Sequence, residues 1–388
     1  MSASGKPGCR MPAEFEPHAA TWIAWPHHEP DWPGKLTAIQ FVYVEITRAL
    51  LRSEPVRMVV RDSAMRTRVR KLLTRANVPL EQITFYVFPT NRSWIRDYGP
   101  LFVRRGGELV ITDWKFNGWA KYGNWRTDNG LNAKLARALQ LPRIAPAIAG
   151  RPVVLEGGSI DVNGKGTLVA TEECLLSKDQ ARNPKLNRRQ LEAVFRENLG
   201  IRKVIWLGRG ISGDDTHGHV DDIARFTDPG TLVVARQHDR HDENFAPLAE
   251  NLERLRRARD HADRPFRVET LPMPEPIYYD GERLPASYAN FYIANRTVLV
   301  PTFNDPNDLL ALDKLARLFP KREVVGIHST DLILGLGGIH CLTQQQPVGE
   351  EPEGRQESRA GKERPPRKRA ARRRGRRGGR SRSGAARK

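Results

Sequence analysis

The residues with the clearest capacity for chemistry lie near the end of the chain, in the stretch GLGGIHCLTQQQP at residues 335–347. Glycines lead up to Cys341, so the backbone there can come close to a ligand without side chains in the way. A cysteine thiolate is among the better protein nucleophiles near neutral pH. The alternative is a strand in which the cysteine packs as a small hydrophobic side chain, as most free cysteines do.

A second candidate is the run HGHVDD at residues 217–222. His217, His219 and Asp221 alternate, so on a strand they would face the same way. Imidazole and carboxylate are ordinary zinc ligands, and similar runs occur in some metallohydrolases. The residue after Asp221 is a further aspartate rather than a histidine, and the sequence offers no second ligand cluster of comparable strength. We therefore predict no metal and no cofactor.

Two more polar clusters occur upstream, WIRDYGP at residues 94–100 and EGGS at residues 156–159. Each also has a purely structural interpretation. Trp94 is equally well explained as a core aromatic, and Asp97 before Tyr-Gly-Pro is typical of a turn. Glu156 follows Val-Val-Leu, where a carboxylate is costly to bury without a partner.

The elements that must position these residues repeat along the chain. A unit of strand, strand, helix and strand recurs at intervals of roughly sixty residues, longer than the periods of the common solenoids. Four units are predicted, at residues 101–155, 159–207, 223–271 and 290–327, and the first is expected to end on a strand at 153–155. The stretch 335–347 opens a fifth unit, whose other strands can only come from the N-terminus.

Most of the polar clusters fall at one phase of this repeat, just before or within the first strand of a hairpin. A ring closed by pairing the two chain ends would leave no open sheet edge and would bring these clusters together at its axis. The alternative is an ordinary mixed α/β domain of linear order. Both interpretations suit a chain of 388 residues with 39% hydrophobic residues, 28 Pro and 32 Gly, which can form one large domain with many turns.

Composition limits the compartment. No apolar run approaches the roughly 18 residues needed to span a bilayer, and the N-terminus lacks the apolar stretch of a signal peptide. The three cysteines, Cys9, Cys174 and Cys341, are too few and odd in number for a disulfide framework. We therefore expect reduced thiols in a cytoplasmic protein that does not bind membranes.

The net charge of +19 is unevenly distributed. Residues 348–388 contain 16 Lys/Arg and 5 Glu, a net charge of +11, whereas the preceding residues have 48 Lys/Arg and 40 Asp/Glu, a net charge of +8. The basic segment lacks apolar periodicity and is predicted to be disordered. It either contacts nucleic-acid phosphates non-specifically or is a solvated extension without a role. A nucleic-acid-binding protein in which Cys341 is dispensable is therefore the rival functional class.

Taken together, the motifs resemble the agmatine deiminase family, which includes the bacterial peptidyl-arginine deiminases and belongs to the guanidine-modifying pentein superfamily. The resemblance covers residues from about 10 to 347. It rests on MPAE at 11–14 through WP at 25–26, WIRDYGP, FNGW at 116–119, LEGGS at 155–159, GHVD at 218–221 and GIHCLTQQ at 338–345. It implies a flexible N-terminus over residues 1–10, a catalytic domain over 11–347 and the basic tail over 348–388.

The resemblance implies an α/β fold, a five-bladed α/β propeller of ββαβ units around a pseudo-fivefold axis. It also implies hydrolysis of a guanidinium to a ureido group with release of ammonia. Cys341 would be the nucleophile and His219 the general acid and base. Asp97 and Asp221 would grip the guanidinium, and Glu156 would bind substrate or orient His219. The residues expected around the rest of the substrate are Trp94, Trp119 and Asp215.

Agmatine, giving N-carbamoylputrescine, is the expected substrate because Trp94, Trp119, Asp215 and Asp221 suit a second amine better than a carboxylate. Peptidyl arginine is the alternative. The sequence leaves open whether the chain forms a homo-oligomer.

Overall fold

The computed structural model describes residues 8–349. The basic tail from residue 350 onward and the first seven residues lie outside the described residues, so the predictions made for them stay predictions. Two residues of the N-terminal stretch predicted to be flexible are ordered instead. Cys9–Arg10 form a short strand that pairs with Arg104 and Arg105, because a neighbouring strand offers its edge to them.

The described residues form a mixed α/β fold that contains five sheets of three or four strands. In four of them, an antiparallel pair is followed by a crossover and a parallel strand. The strands of these sheets are, in chain order, Cys9–Arg10, Leu101–Arg105, Glu108–Thr112 and Arg143–Ile144; Asp161–Val162, Thr167–Thr171 and Lys203–Leu207; Ala224–Asp228, Thr231–Arg236 and Arg267–Pro272; and Tyr292–Ile293, Thr297–Thr302 and Glu323–His328.

The fifth sheet joins the two ends of the described chain. Strand Thr343–Pro347 pairs antiparallel with His18–Ala24, which continues in parallel with Val56–Val60 and Ile83–Val87. This confirms that the last unit takes its remaining strands from the N-terminal region. The strand that begins two residues after Cys341 is thereby held at the edge of this sheet by its pairing with His18–Ala24. The arrangement of all five sheets around one axis stays a prediction.

Helices cover the sheets and begin where local chemistry favours them. Asn187 and Gln190 form a capping box at the start of helix Arg188–Leu199, and Gly200 ends that helix in the left-handed conformation. The α-helices are Leu36–Leu51, Ser63–Arg75, Ile95–Tyr98, Arg126–Asn129, Leu131–Leu139, Glu172–Leu176, Arg188–Leu199, Phe245–Arg257 and Asn307–Leu318. In the described part of the chain, no helix is both long and apolar enough to cross a membrane.

The prediction for the end of the first unit was wrong. Its parallel strand is Arg143–Ile144, whereas residues 153–155 form only one isolated bridge, between Lys115 and Val154. The apolar run at 153–155 is buried as expected of a strand. Its backbone polar groups are satisfied differently, because the side-chain amide of Asn183 donates to the Val154 carbonyl at 2.8 Å and accepts from the Val154 N–H at 2.9 Å.

Gly200→Ala should destabilise the fold. The residue has a φ of 74°, and a Cβ there would overlap the carbonyl oxygen of Cys9. An L-residue in this conformation costs about 1–2 kcal/mol before the clash is counted, so we expect the free energy of unfolding to fall by about 1–3 kcal/mol. Chemical denaturation measures it. Gly230→Ala is the control, since its Cβ would meet nothing closer than 3.7 Å; an equal effect of both changes would contradict the analysis.

Candidate active site

The side chains predicted to do chemistry converge around Gly158. A Cβ at this position would lie 2.5 Å from Nδ1 of His219, 2.9 Å from Oδ1 of Asp97 and 3.0 Å from Oδ2 of Asp221. Only glycine leaves room for all three groups, and its N–H donates to Oδ1 of Asp97 at 3.0 Å. The sequence signal EGGS therefore marks the point where three units contribute to one site.

His219 lies fully buried between carboxylates. Its Nδ1 is 3.7 Å from Asp97, and its Nε2 is 3.7 Å from Glu156. Neither ring nitrogen has a hydrogen-bond partner, nor does Oε2 of Glu156, so these buried atoms keep unused hydrogen-bonding capacity. Burial lowers the pKa of His219, but the negative charge of Asp97, aided by Glu156, raises it well above its usual range. The imidazole is therefore a proton donor at neutral pH.

The backbone around His219 differs from the prediction. Residues His217 and His219 lie in a turn before the 3-10 helix Val220–Asp222, not on a strand. His217 adopts a left-handed φ of 64°, and its side chain is directed to Ser177 rather than into the site. Asp214 holds the turn by accepting hydrogen bonds from the N–H groups of Gly218 and His219, because a turn leaves these donors without strand partners.

Cys341 lies two residues before the last strand, in the 3-10 turn His340–Leu342. Its Sγ accepts a hydrogen bond from Nδ2 of Asn290 at 3.2 Å and donates towards Oδ2 of Asp221 at 3.8 Å. Burial, followed by the charge of Asp221, raises the pKa of the Cys341 thiol well above its usual range. The hydrogen bond from Asn290 opposes that rise. The cysteine is thus a neutral thiol in the empty site.

Asn290 is the residue that sequence reasoning missed. Its Oδ1 accepts the N–H of His340 at 2.9 Å, which turns its NH₂ group towards Sγ of Cys341 and Oδ1 of Asp222. A Cβ at Gly338 would collide with this amide, so that glycine exists to admit Asn290. The repeat offered a signal, because Asn290 precedes the hairpin of the fourth unit at the phase where the other units have their polar residues.

Asp221 is positioned by a buried network of hydrogen-bonded ionisable side chains. Its Oδ2 bonds Nδ1 of His340 at 2.7 Å, and Nε2 of His340 bonds Glu14 at 2.8 Å. Glu14 also accepts from Arg96 at 3.0 Å and from Arg225 at 2.8 Å. Burial raises the pKa of Asp221, but the hydrogen bond and charge of His340 more than offset this and leave it lowered. Asp221 is consequently ionised, and its Oδ1 has no hydrogen-bond partner.

The two remaining carboxylates have different electrostatic surroundings. Burial raises the pKa of Asp97 to about 6, with His219 pulling it down and other acids adding to the rise. Its Oδ2 accepts from the indole N–H of Trp119 at 2.9 Å. Burial also acts to raise the pKa of Glu156, but Arg182, whose Nε lies 3.0 Å from Oε1, leaves it below its usual value. Glu156 is a fixed anion, whereas Asp97 titrates near neutral pH.

Trp94, Trp119 and Asp215 line a cavity that reaches Asp97 and Cys341. Its volume is about 20 Å³, space for little more than one water molecule. Asp215 lies at this cavity, paired with Lys121, and accepts the hydroxyl of Tyr122 at 2.7 Å. Glycines at 335 and 337 admit the ring of Trp94, since a Cβ at either would lie within 2.8 Å of it. They make room for a cavity wall rather than for the ligand directly.

The same residues decide whether the site could hold a metal ion. The run at residues 217–222 does not form a set of metal ligands. Glu156, Cys174 and His219, in contrast, place ligand atoms within 4.8 Å of one another. Arg182 already neutralises Glu156, and its positive charge opposes a cation at this point. The arrangement better suits a cationic organic group bound on the other side of His219, between Asp97 and Asp221. There, two acids, a protonated imidazole and a thiol can carry out nucleophilic substitution at a planar cation.

Comparison with known proteins gives consistent matches. A family model described as Porphyromonas-type peptidyl-arginine deiminase matches residues 10–347. The agmatine deiminase of Pseudomonas putida is 37% identical over 365 residues, which cover 88% of this chain and 96% of that relative.

Two solved structures superpose with a TM-score of 0.80 each. One is the agmatine deiminase of Enterococcus faecalis, which is 32% identical, with 89% of this chain and 98% of that chain covered. The other is C. jejuni agmatine deiminase with substrate bound, which is 28% identical, with 90% and 99% covered. The similarity extends over the sheets that form the site.

Asn290→Asp should make Cys341 less reactive. The change keeps the oxygen that accepts the His340 N–H but replaces the donor to sulfur with a further acid. A hydrogen bond to a charged group contributes about 1.5–3 kcal/mol, so alkylation of Cys341 by iodoacetamide at pH 8 should slow at least about 10-fold. Mass spectrometry of the Cys341 peptide measures it. Asn198→Asp, at a half-buried position in helix Arg188–Leu199, is the control, and an unchanged rate in Asn290→Asp would refute the assignment.

Proposed function

Because the chain belongs to the Porphyromonas-type peptidyl-arginine deiminase family, we propose that it hydrolyses the guanidinium of agmatine to N-carbamoylputrescine and ammonia. The observation that carries this proposal is the convergence of the Cys341 thiol, the His219 imidazole and the carboxylates of Asp97 and Asp221 at one buried point. We also propose that the five sheets surround this point as a closed ring, which the pairing of the two chain ends supports.

The guanidinium would lie between Asp97 and Asp221. A planar guanidinium presents N–H groups on two edges, and a carboxylate on each edge fixes its plane and its carbon. The free Oδ1 of Asp221 provides an acceptor for a remaining N–H group. Orientation of this kind can supply a large part of the rate enhancement, because the carbon is a poor electrophile in solution.

Substrate binding would activate the nucleophile. In the empty site the acids favour the neutral thiol, and the bound cation cancels their charge and favours the thiolate. The Asn290 N–H then stabilises the negative sulfur, and the thiol proton leaves towards Asp221 and solvent. Sγ of Cys341 attacks the guanidinium carbon and forms a tetrahedral adduct.

His219 would carry the proton transfers. As an imidazolium it protonates the departing nitrogen, ammonia leaves, and an amidino-cysteine remains. The neutral imidazole then takes a proton from a water molecule as that water attacks the adduct. Collapse of the second tetrahedral adduct breaks the C–S bond, which releases the ureido product and the Cys341 sulfur. Glu156, held by Arg182, keeps the imidazole oriented throughout.

The rest of the cavity supports a small cationic substrate. Trp94 and Trp119 offer apolar walls for a short methylene chain, and Asp215 offers an anion for a distal ammonium. The backbone of a peptidyl arginine has no ammonium to offer Asp215, which lines this cavity. Peptidyl arginine is therefore the second substrate to test, not the first.

Incubation with agmatine, free arginine and an acetylated arginyl peptide, followed by assay of ureido product and ammonia, tests the proposal. Agmatine should be the preferred substrate. Cys341→Ser should lower kcat at least about 10³-fold, since it removes the nucleophile while changing one atom. Cys9→Ser is the matched control. Undiminished turnover by Cys341→Ser, or product from the peptide but not from agmatine, would contradict the proposal.

Activity should decline in acid because of Asp97. Its pKa of about 6 lies above the usual value for Asp, so it loses its charge as the pH falls through 6. The plot of log(kcat/KM) against pH should steepen there by one further unit of slope, about 10-fold per pH unit. Saturating substrate should shift the limb in kcat to lower pH, since the bound cation favours the carboxylate. No change of slope between pH 7 and 5 would show that Asp97 does not control binding.

A further inference from the structure

The cavity entrance contains an ion pair that the proposed chemistry does not use. The ammonium of Lys121 contacts Oδ1 of Asp215, while the hydroxyl of Tyr122 donates to Oδ2. The Lys121 side chain is 46% exposed and that of Asp215 is 14% exposed. A carboxylate that lines the substrate cavity is thus occupied by a cation supplied by the chain itself.

Lys121 belongs to a loop that also contacts the guanidinium end of the site. Gly118, Trp119 and Ala120 have left-handed φ values of 67°, 56° and 56°, a conformation that is costly for two successive non-glycine residues. The Nε2 group of Gln180 donates at 3.1 Å to the carbonyls of both Trp119 and Asp215. The loop and the Asp215 turn are therefore fastened to each other.

We propose that Lys121 is a specificity-determining residue, whose ammonium occupies on Asp215 the place of the distal ammonium of a diamine-like guanidine substrate. This inference rests on the proposed function. A substrate with a cationic tail replaces one ammonium on Asp215 by another, so Asp215 is not left unpaired. A guanidine with an uncharged tail has no group to offer Asp215, and Lys121 stays in place.

The small cavity has to widen before a substrate enters, and the exchange on Asp215 accompanies this step. A four-carbon chain does not fit into about 20 Å³, so lining residues have to shift for agmatine and for an uncharged analogue alike, but only agmatine brings an ammonium that replaces Lys121 on Asp215. Arg92 lies 4.1 Å from the centre of the Tyr122 ring and pairs with Asp31 at 3.0 Å, so this neighbouring cation is already compensated and does not replace Lys121.

Lys121→Met tests the inference, because methionine keeps the unbranched stem and removes the charge. A partly exposed ion pair contributes about 0.2–1 kcal/mol, so KM for agmatine should fall about two- to five-fold. KM for n-butylguanidine, which has the same chain without the amine, should not change. Lys203→Met removes an equal charge from an exposed strand end outside the cavity and should leave both values unchanged.

Binding measurements separate this inference from the proposed function. Calorimetry in the Cys341→Ser background gives the Kd of agmatine and of n-butylguanidine without turnover. The Lys121→Met effect on agmatine should appear there too and should vanish in an Asp215→Asn background. An unchanged or raised Kd for agmatine, an equal effect on both ligands, or an effect that persists without Asp215 would overturn it. Lack of turnover by the wild-type enzyme with normal agmatine binding would count against the proposed function alone.

Discussion

One buried carboxylate, Glu14, constrains the whole site. Its two oxygens meet Arg96 from the first unit, Arg225 from the third and His340 from the last, and they also accept the backbone N–H of Ile293 from the fourth at 2.8 Å. Asp161 in the second unit shares Arg225. A buried charge is tolerated only where partners surround it, and removal of one member of such a group costs about 3–5 kcal/mol. Glu14 therefore fixes the units relative to one another at the depth where the site forms.

The buried group around Glu14 positions the reacting atoms through His340. The same imidazole that contacts Glu14 holds Asp221, and the same turn that carries His340 carries Cys341. The distance of 3.8 Å between Asp221 and the sulfur is thus set by buried electrostatics rather than by the exposed loops. It also places an anion beside the nucleophile, which keeps the thiol neutral without substrate. Oxidation of a cysteine proceeds through its thiolate. The neutral thiol of Cys341 is therefore less prone to oxidation before substrate binds than a thiolate would be.

Sequence reasoning predicted most of the elements, and the structure brings Asp97, His219 and Asp221 together around Gly158. The motifs predicted the family, which the comparisons confirm, and the 335–347 stretch predicted that the chain ends would pair. The predictions failed where a side chain, rather than a neighbouring strand, forms hydrogen bonds with backbone groups. Residues 153–155 have the composition of a strand, but Asn183 satisfies Val154 instead of a neighbouring strand. His217 and His219 alternate as on a strand, yet Asp214 holds them in a turn and separates their side chains.

The residues that were missed share one property: their roles depend on contacts far along the chain. Asn290 meets Cys341 across 51 positions, Arg182 meets Glu156 across 26, and Glu14 meets His340 across 326. Their local sequences are equally compatible with caps, turns or surface polarity. Only the repeat could have located Asn290, since it occupies in the fourth unit the phase that holds acids or histidine elsewhere.

The loop at 118–122 contacts both ends of the proposed substrate site. Trp119 donates to Asp97 at the guanidinium end, and Lys121 pairs with Asp215 at the other end, so one short loop contacts both acids. An indole N–H on Asp97 favours its ionised form, and the ionised form is the one that grips a guanidinium. A substrate that displaces Lys121 but leaves Trp119 in place therefore meets a correctly charged site. A substrate too bulky to let the loop return would break the hydrogen bond from Trp119 to Asp97. Asp97 would then be less fully ionised and would bind a guanidinium less well, which disfavours bulky substrates.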